Sequence, residues 1–197
     1  MNAPDPKPIQ TRRLDLHMVL PQEYERLAAD AGDPRLWVDR GFANPYGHLR
    51  DDPGPLPYRL PMIQAHPQWA PYLLRMAVHR VEAVIIGSAG FHGMPDGRGM
   101  IEIGVGIEPH WRGQGYATEV LHGMWGWVID QPGVRVLRYT VSPGNAPSQA
   151  IIRRLGFAWR GQQVDPEDGP EDIFEMGVDE YRHRFAAPMA DRPHEGS

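Results

Sequence analysis

At 197 residues, with 41% hydrophobic and 23% charged residues, the chain has the make-up of one folded domain and not of a disordered segment. Its formal charge of −5 and pI near 6.0 set it apart from proteins that bind nucleic acid as main partner, which carry clustered Lys and Arg. Without cysteine there is no disulfide framework, no Cys-ligated zinc and no thiol nucleophile.

Residues 1–10 are polar and proline-bearing, lack the basic start and apolar run of a signal peptide, and read as a flexible N-terminus. Nowhere do about 18 consecutive apolar residues occur, so no membrane partner and a cytoplasmic location are expected. Leu14 to Leu20 alternates apolar and polar residues, which predicts a strand ended by Pro21, and a helix is expected over Gln22 to Ala29. From Ala31 to Pro71 repeated prolines break every regular pattern, predicting loops with one or two short helices. The aromatic residues there, among them Trp37, Phe42, Tyr46, Tyr58 and Trp69, imply that the stretch packs on something, and it is a candidate substrate lid.

Leu73 to Val81 and Val84 to Phe91 read as a hairpin. In Met100 to Ile107 the residues Ile101, Ile103, Val105 and Ile107 alternate with Glu102, Gly104 and Gly106, a third strand. Gly115 to Asp130 carries Ala117, Val120, Leu121, Met124, Trp125 and Val128 at helical spacing, and Pro132-Gly133 stops it. Trp125 is placed in the core and Trp127 on another face. A strand at Val134 to Val141, a helix at Ala146 to Leu155 ended by Gly156, and strands at Phe157 to Val164 and Asp172 to Val178 follow, with residues 186–197 read as a flexible tail. The fold class is α/β of the α+β type, a mixed and mostly antiparallel sheet flanked by helices.

Between the strand ending at Ile107 and the next helix lies Glu108-Pro109-His110-Trp111-Arg112-Gly113-Gln114-Gly115, a glycine-bearing loop on a helix N-terminus. Unpaired amides and the positive end of the helix dipole favour an anion there, glycine allows close backbone approach, and Arg112 adds a charge. The loop lacks the Gly-Lys-Ser/Thr of a P-loop, and Thr118 stands where a dinucleotide fingerprint ends in a small apolar residue.

Arg112-Gly113-Gln114-Gly115-Tyr116-Ala117-Thr118-Glu119 after a Glu-bearing strand resembles the central motif of the GNAT superfamily of acyl-CoA-dependent N-acyltransferases. Asn145 and Ser148 followed by Arg154-Leu155-Gly156-Phe157, together with Ile101-Glu102-Ile103-Gly104, resemble segments of its ribosomal-protein N-terminal acetyltransferase branch. The likeness covers roughly Leu14 to Tyr181, while Ala31 to Pro71 matches weakly, as acceptor-binding regions in the superfamily do. It implies a single GNAT-like domain over 11–185 with splayed central strands and acetyl-CoA as acyl donor. The pantetheine arm would run along Val105, Gly106 and Ile107 and touch Asn145. The pyrophosphate would lie on the amides from Arg112, Gly113, Gln114 and Gly115 to Tyr116, Ala117 and Thr118. Tyr116 and Thr118 read otherwise as structural parts of the helix start. Members of the superfamily often pair, which makes a homodimer an open partner.

Acyl transfer to an amine needs a neutral nucleophile, and an alkyl ammonium with a pKa of about 10.4 is protonated at neutral pH, so a base is useful. The resemblance assigns that role to Glu102; the alternative is a strand glutamate in solvent or paired with an arginine. The Val105 amide is the candidate oxyanion donor. Many members carry a tyrosine four residues before the Gly of the Gly-Phe pair, where this chain has Ile152, leaving Ser148 as the nearest group to meet the departing thiolate. His92, His110 and His122 are too scattered for a metal site, and none is expected. The expected function is acetyl transfer to a primary amine, on a protein N-terminus or a small molecule; the alternative is a non-catalytic acyl-CoA sensor or scaffold.

Overall fold

A computed structural model describes residues 7–166 and 169–185. The tail expected at 186–197, and residues 1–6 of the N-terminal segment, lie outside the described residues. The elements in chain order are β1 (Ile9–Gln10), β2 (Leu14–Met18), α1 (Pro21–Ala29), α2 (Leu56–Ala65), α3 (Ala70–Leu73), β3 (Arg75–His79), β4 (Val84–Phe91) and β5 (Met100–Ile107). Then come α4 (Tyr116–Val128), β6 (Val136–Val141), α5 (Ala146–Arg154), β7 (Ala158–Asp165), β8 (Gly169–Gly177) and α6 (Val178–Phe185). No helix among the described residues is long and apolar enough to cross a membrane.

The strands form one sheet in the order β1-β2-β3-β4-β5-β6-β8-β7. Among the named strands, neighbours pair antiparallel except β5 and β6, which the α4 crossover joins in parallel. That pair is brief: Met100, Ile101 and Glu102 face Val136, Leu137 and Arg138, and then β5 and β6 part. The mixed sheet, the hairpin of β3 with β4 and the strand at Met100–Ile107 agree with the sequence pattern.

Each face of the sheet has its own core. On one face α4 lays Val120, Leu121, Met124, Trp125 and Val128 against Leu16, Ala77, Ile86, Phe91, Ile101 and Ile103, while Ile152 of α5 and Tyr181 of α6 extend the layer. Trp125 stacks on Phe157 at 4.6 Å, whereas Trp127 sits at the edge against Tyr72 at 5.0 Å. On the other face Leu36, Trp37, Phe42, Leu49, Leu56 and Ile63 pack with Leu27 of α1 on Met76, Val78 and Ile85. A β-bulge divides the two cores: Ala77 pairs with Gly87 and Val78 with Ile85, so the intervening Ile86 turns to the first core while Ile85 enters the second.

Two expectations change. The stretch at 31–71 packs as its aromatic residues implied, with its apolar side chains forming the second core, Ala43 held to β4 by hydrogen bonds with Ala83 and Ile85, and residues 46–59 walling a cavity; it is more ordered than a lid requires. At the start of the chain, Ile9 and Gln10 pair with Leu16 and Asp15 of β2, so ordered structure begins inside the segment read as flexible. The helix α6 carried no clear start signal, because it follows β8 with no intervening loop.

Candidate active site

Antiparallel pairing decides where the backbone of β5 points. Glu108 N–H donates to Ile86 O at 2.9 Å and Glu102 O accepts from His92 N–H at 2.8 Å, so the even-numbered residues of β5 face β4. The N–H and C=O groups of Val105 and Ile107, past the last pair at Glu102, therefore point toward β6, which has already turned away. A cavity of about 790 Å³ opens at this fork. Its walls hold every residue expected at the cofactor: Val105, Gly106 and Ile107 on one side, Arg112 through Thr118 below, and Asn145 with Ser148 opposite.

The loop geometry suits an anion. Gly113 and Gly115 have φ of 75° and 82°, in the left-handed region where a side chain is strained. Glu119 N–H, bonded to Gly115 O at 3.1 Å, makes the first helical hydrogen bond, which leaves the amides of Tyr116, Ala117 and Thr118 without helical partners. Glu119, in the same first turn, is turned away from the loop. Its carboxylate accepts from Thr11 Oγ1 at 2.7 Å, Arg13 N at 2.6 Å and Arg13 Nε at 2.7 Å. Burial raises its pKa, but these hydrogen bonds prevail and the carboxyl lies below its ordinary value. Arg13 also donates to Gln114 O at 3.1 Å and lies 3.9 Å over the Tyr116 ring, bracing the loop from outside. Arg112 Nε donates to Ile107 O at 2.7 Å, so that carbonyl is already engaged on the protein. Arg154, whose Nη2 is 3.4 Å from Thr118 Oγ1, adds a cation at the cavity that the motif alone did not assign.

Asn145 caps α5, its Oδ1 accepting from Ser148 N–H at 3.2 Å. Ile152 is fully buried in the core and reaches no cavity. A tyrosine nevertheless lines the cavity at the fork: Tyr139 of β6. Burial pushes its hydroxyl's pKa up, against a hydrogen bond with Ser148 that lowers it, so the group stays protonated at neutral pH. Tyr139 thus brings a hydroxyl to this cavity from a strand, which no local spacing signals.

The opposite face of β5 reads Glu102, Gly104, Gly106, Glu108. A second cavity, of about 450 Å³, lies above the two glycines and shares Val105, Gly106, Ile107 and Arg112 with the first. Glu102 borders neither cavity directly. Its Oε1 accepts from Thr140 Oγ1 at 2.6 Å and lies 3.3 Å from His92 Nδ1, and the half-exposed His92 carries this pair to the second cavity. Of the other two histidines singled out, His122 meets the Tyr181 hydroxyl at 3.0 Å and His110 stacks on Tyr46. At the far end of the second cavity, His48 Nδ1 lies 2.5 Å from Glu108 Oε1 and His48 Nε2 2.8 Å from Ser88 Oγ. Arg59 also lines this cavity. The residue is 5% exposed, its Nη1 donates to His92 O at 3.4 Å, its Nε has no hydrogen-bond partner, and no carboxylate pairs with it among the described residues.

Comparison with known proteins fits this geometry. A family model described as "Acetyltransferase (GNAT) domain" matches residues 13–158. A curated protein named "Uncharacterized N-acetyltransferase YjdG", from Bacillus subtilis (strain 168), is 34% identical over 73 residues, covering 37% of this chain and 44% of that protein. Among solved structures, a ribosomal alpha-N-protein acetyltransferase in complex with coenzyme A superposes with a TM-score of 0.59 at 16% identity, covering 87% of this chain and 97% of that one. A ribosomal-protein alanine acetyltransferase from Vibrio fischeri gives 0.60 at 13% identity, over 87% and 97%. A spermidine N-acetyltransferase chimera that includes Vibrio cholerae sequence gives 0.61 at 12% identity, over 87% and 99%. The family model spans most of the chain, and the fork of β5 and β6 stands where its motif loop meets α4: this protein belongs to the GNAT acetyltransferase family.

Proposed function

We propose that the chain moves an acetyl group from acetyl-CoA to a primary amine by direct attack in a ternary complex. The observation that carries this is the pair of cavities on opposite faces of β5, which meet at Val105, Gly106 and Ile107. A thioester entering from one side and an amine from the other come together there, where the Val105 amide is free to hold the oxyanion. The pyrophosphate lies on the amides of the Gly113–Thr118 loop, with Arg154 adding charge. Nitrogen must lose two protons on the way from ammonium to amide. The Glu102–His92 pair at the cavity mouth takes the first and passes it to solvent.

Tyr139, bonded to Ser148, gives the departing thiolate a proton. A thiolate is a good leaving group, since thiols have a pKa of about 8.5, so this help is modest. Tyr139→Phe is expected to lower kcat by about tenfold to a hundredfold, at the low end of general-acid effects, with the acetyl-CoA Kd unchanged. Steady-state kinetics beside calorimetric binding check it.

Arg59, which has no carboxylate partner among the described residues, favours an acceptor that carries a carboxylate or phosphate near its amine, because such a group relieves a buried cation. The reading is tested by titrating acetyl-CoA, with succinyl-CoA and adenosine diphosphate for comparison, and then following CoA release across primary amines with and without a carboxylate. Acetyl-CoA binding with turnover favouring the carboxylate-bearing amines is expected. Absence of binding by any CoA ester would sink the proposal, and binding without turnover would favour the sensor alternative.

A further inference from the structure

We infer that Ser88, His48 and Glu108 form a proton relay, which in the acyl transfer proposed above takes the proton that the attacking nitrogen sheds as its bond to the acyl carbon forms. Three separate segments build it: the loop after Asn44, strand β4, and the residue just past β5. Ser88 and His48 are 5% and 9% exposed, so two of the three groups are withdrawn from bulk water. Their loop is tightly held. Asn44 Oδ1 accepts from His48 N–H at 2.8 Å, and Asn44 Nδ2 donates to His48 O at 3.1 Å and Ala31 O at 2.9 Å. Leu49, next to His48, adopts a φ of 67°, an uncommon conformation for a branched side chain. A simple surface turn does not need such restraint.

The partners fix the tautomer. An ionised Glu108 only accepts, so Nδ1 carries the ring proton toward Oε1, and Nε2 is left to accept from Ser88 Oγ–H. The lone pairs of Ser88 Oγ then remain for a donor in the cavity. Ser88 pairs in register with Gly106, and a Cβ placed at Gly106 would meet nothing within 4 Å. An amine resting over Gly106 therefore has the free Val105 backbone on its β6 side and Ser88 on its β4 side. As the C–N bond forms, the nitrogen's proton moves to Ser88 Oγ and Ser88's own proton moves to His48 Nε2. The C–S bond then breaks, its electron pair leaves on sulfur, and the imidazolium is held by Glu108 until it releases its proton. Ser88 is not assigned as a nucleophile, because the even-numbered β5 amides beside it are spent on the β4 ladder and offer no oxyanion donors.

Burial pulls the His48 pKa below its ordinary value of 6.5, with Glu108 first and Asp52 second opposing the shift. The other charged or titratable groups facing the cavity are Asp51, Arg59, His92 and Arg112, with Tyr46 beside them. A relay needs neutral imidazole, so kcat should hold at neutral pH and fall as pH drops through that lowered value.

The test uses hydroxylamine as acceptor, an amine neutral at the assay pH that does not need the Glu102–His92 step. Wild type, His48→Gln, Ser88→Ala and Glu108→Gln are compared by kcat–pH profile, acetyl-CoA calorimetry and nitrogen NMR of the His48 ring. His48→Gln is expected to lose about a hundredfold in kcat at unchanged Kd. Glu108→Gln is expected to move the acid limb to lower pH, and NMR should show the Nδ1–H form in wild type. Should His48→Gln fail to fold, Ser88→Ala and Glu108→Gln carry the same comparison. An Nε2–H tautomer, or variants within about threefold of wild type with the same acid limb, overturns the relay alone. A wild type that binds acetyl-CoA yet turns over neither hydroxylamine nor any primary amine, with or without a carboxylate, overturns the transfer reaction and the relay together.

Discussion

Gly115→Glu is expected to weaken acetyl-CoA binding by at least about 10³-fold. The introduced carboxylate would sit at the start of α4, among the amides of Tyr116, Ala117 and Thr118 that have no helical partners, and would take the place of the pyrophosphate. A unit charge about 4 Å from a phosphate charge costs roughly 4 kcal/mol at an effective dielectric of 20, and a tenfold change in affinity is only about 1.4 kcal/mol. Steric blockage contributes little, because the nearest atom to a Cβ there is Arg13 Nη2 at 3.7 Å. Backbone strain contributes separately: a φ of 82° costs a non-glycine residue about 1 kcal/mol, which lowers stability and not affinity. Gly115→Ala isolates that part and is expected to drop Tm by about 2–4 °C while leaving affinity near wild type. Calorimetric titration of both variants separates the two effects, and an unweakened Gly115→Glu would place the pyrophosphate elsewhere.

Glu102→Gln is expected to lower kcat by about 10²-fold or more at neutral pH and to leave acetyl-CoA affinity alone, because Glu102 borders no part of the cofactor cavity. Glutamine keeps the size of the side chain and can still accept from Thr140 Oγ1, so the fork of β5 and β6 is preserved. What is lost is the negative charge that steadies a protonated His92, 3.3 Å away. The defect should shrink as pH rises, because a larger share of an amine with pKa near 10.4 is then already neutral. A pH series of kcat for wild type and variant with one alkylamine checks this. A variant equal to wild type at every pH would return Glu102 to a structural role, holding Thr140 and His92 in place.

That the residues expected at the cofactor would share one cavity was legible because the stretches that carry them are local. Val105 to Thr118 and Asn145 to Ser148 are two continuous stretches, and in each a strand or helix boundary with its glycine, proline or cap residue sets the backbone that the ligand would meet. Residue spacing along a strand or helix fixes which side chains share a face, so Glu102 was rightly set opposite Ile101 and Ile103. The acceptor half was not legible. His48 and Glu108 are 60 positions apart, His48 and Ser88 are 40, and Arg59 reaches the same cavity from α2. Nothing in the proline-broken segment from Ala31 to Pro71 marks His48 or Arg59; its aromatic residues signalled packing, but not that its apolar side chains form a second core.

By itself the sequence determined the mixed sheet, the strand that bears Glu102 and the glycine-bearing loop at the start of α4, since each follows from periodicity and backbone chemistry. Only the tertiary structure decided that Tyr139 borders the cavity at the fork while Ile152 is buried, that Glu119 is spent on Thr11 and Arg13, and that Ser88, His48 and Glu108 meet. Those contacts depend on sheet order, on the bulge at Ile86 and on the early parting of β5 from β6. They arise from long-range packing, in which the position of a side chain is set by residues far away in the chain and leaves no period to read.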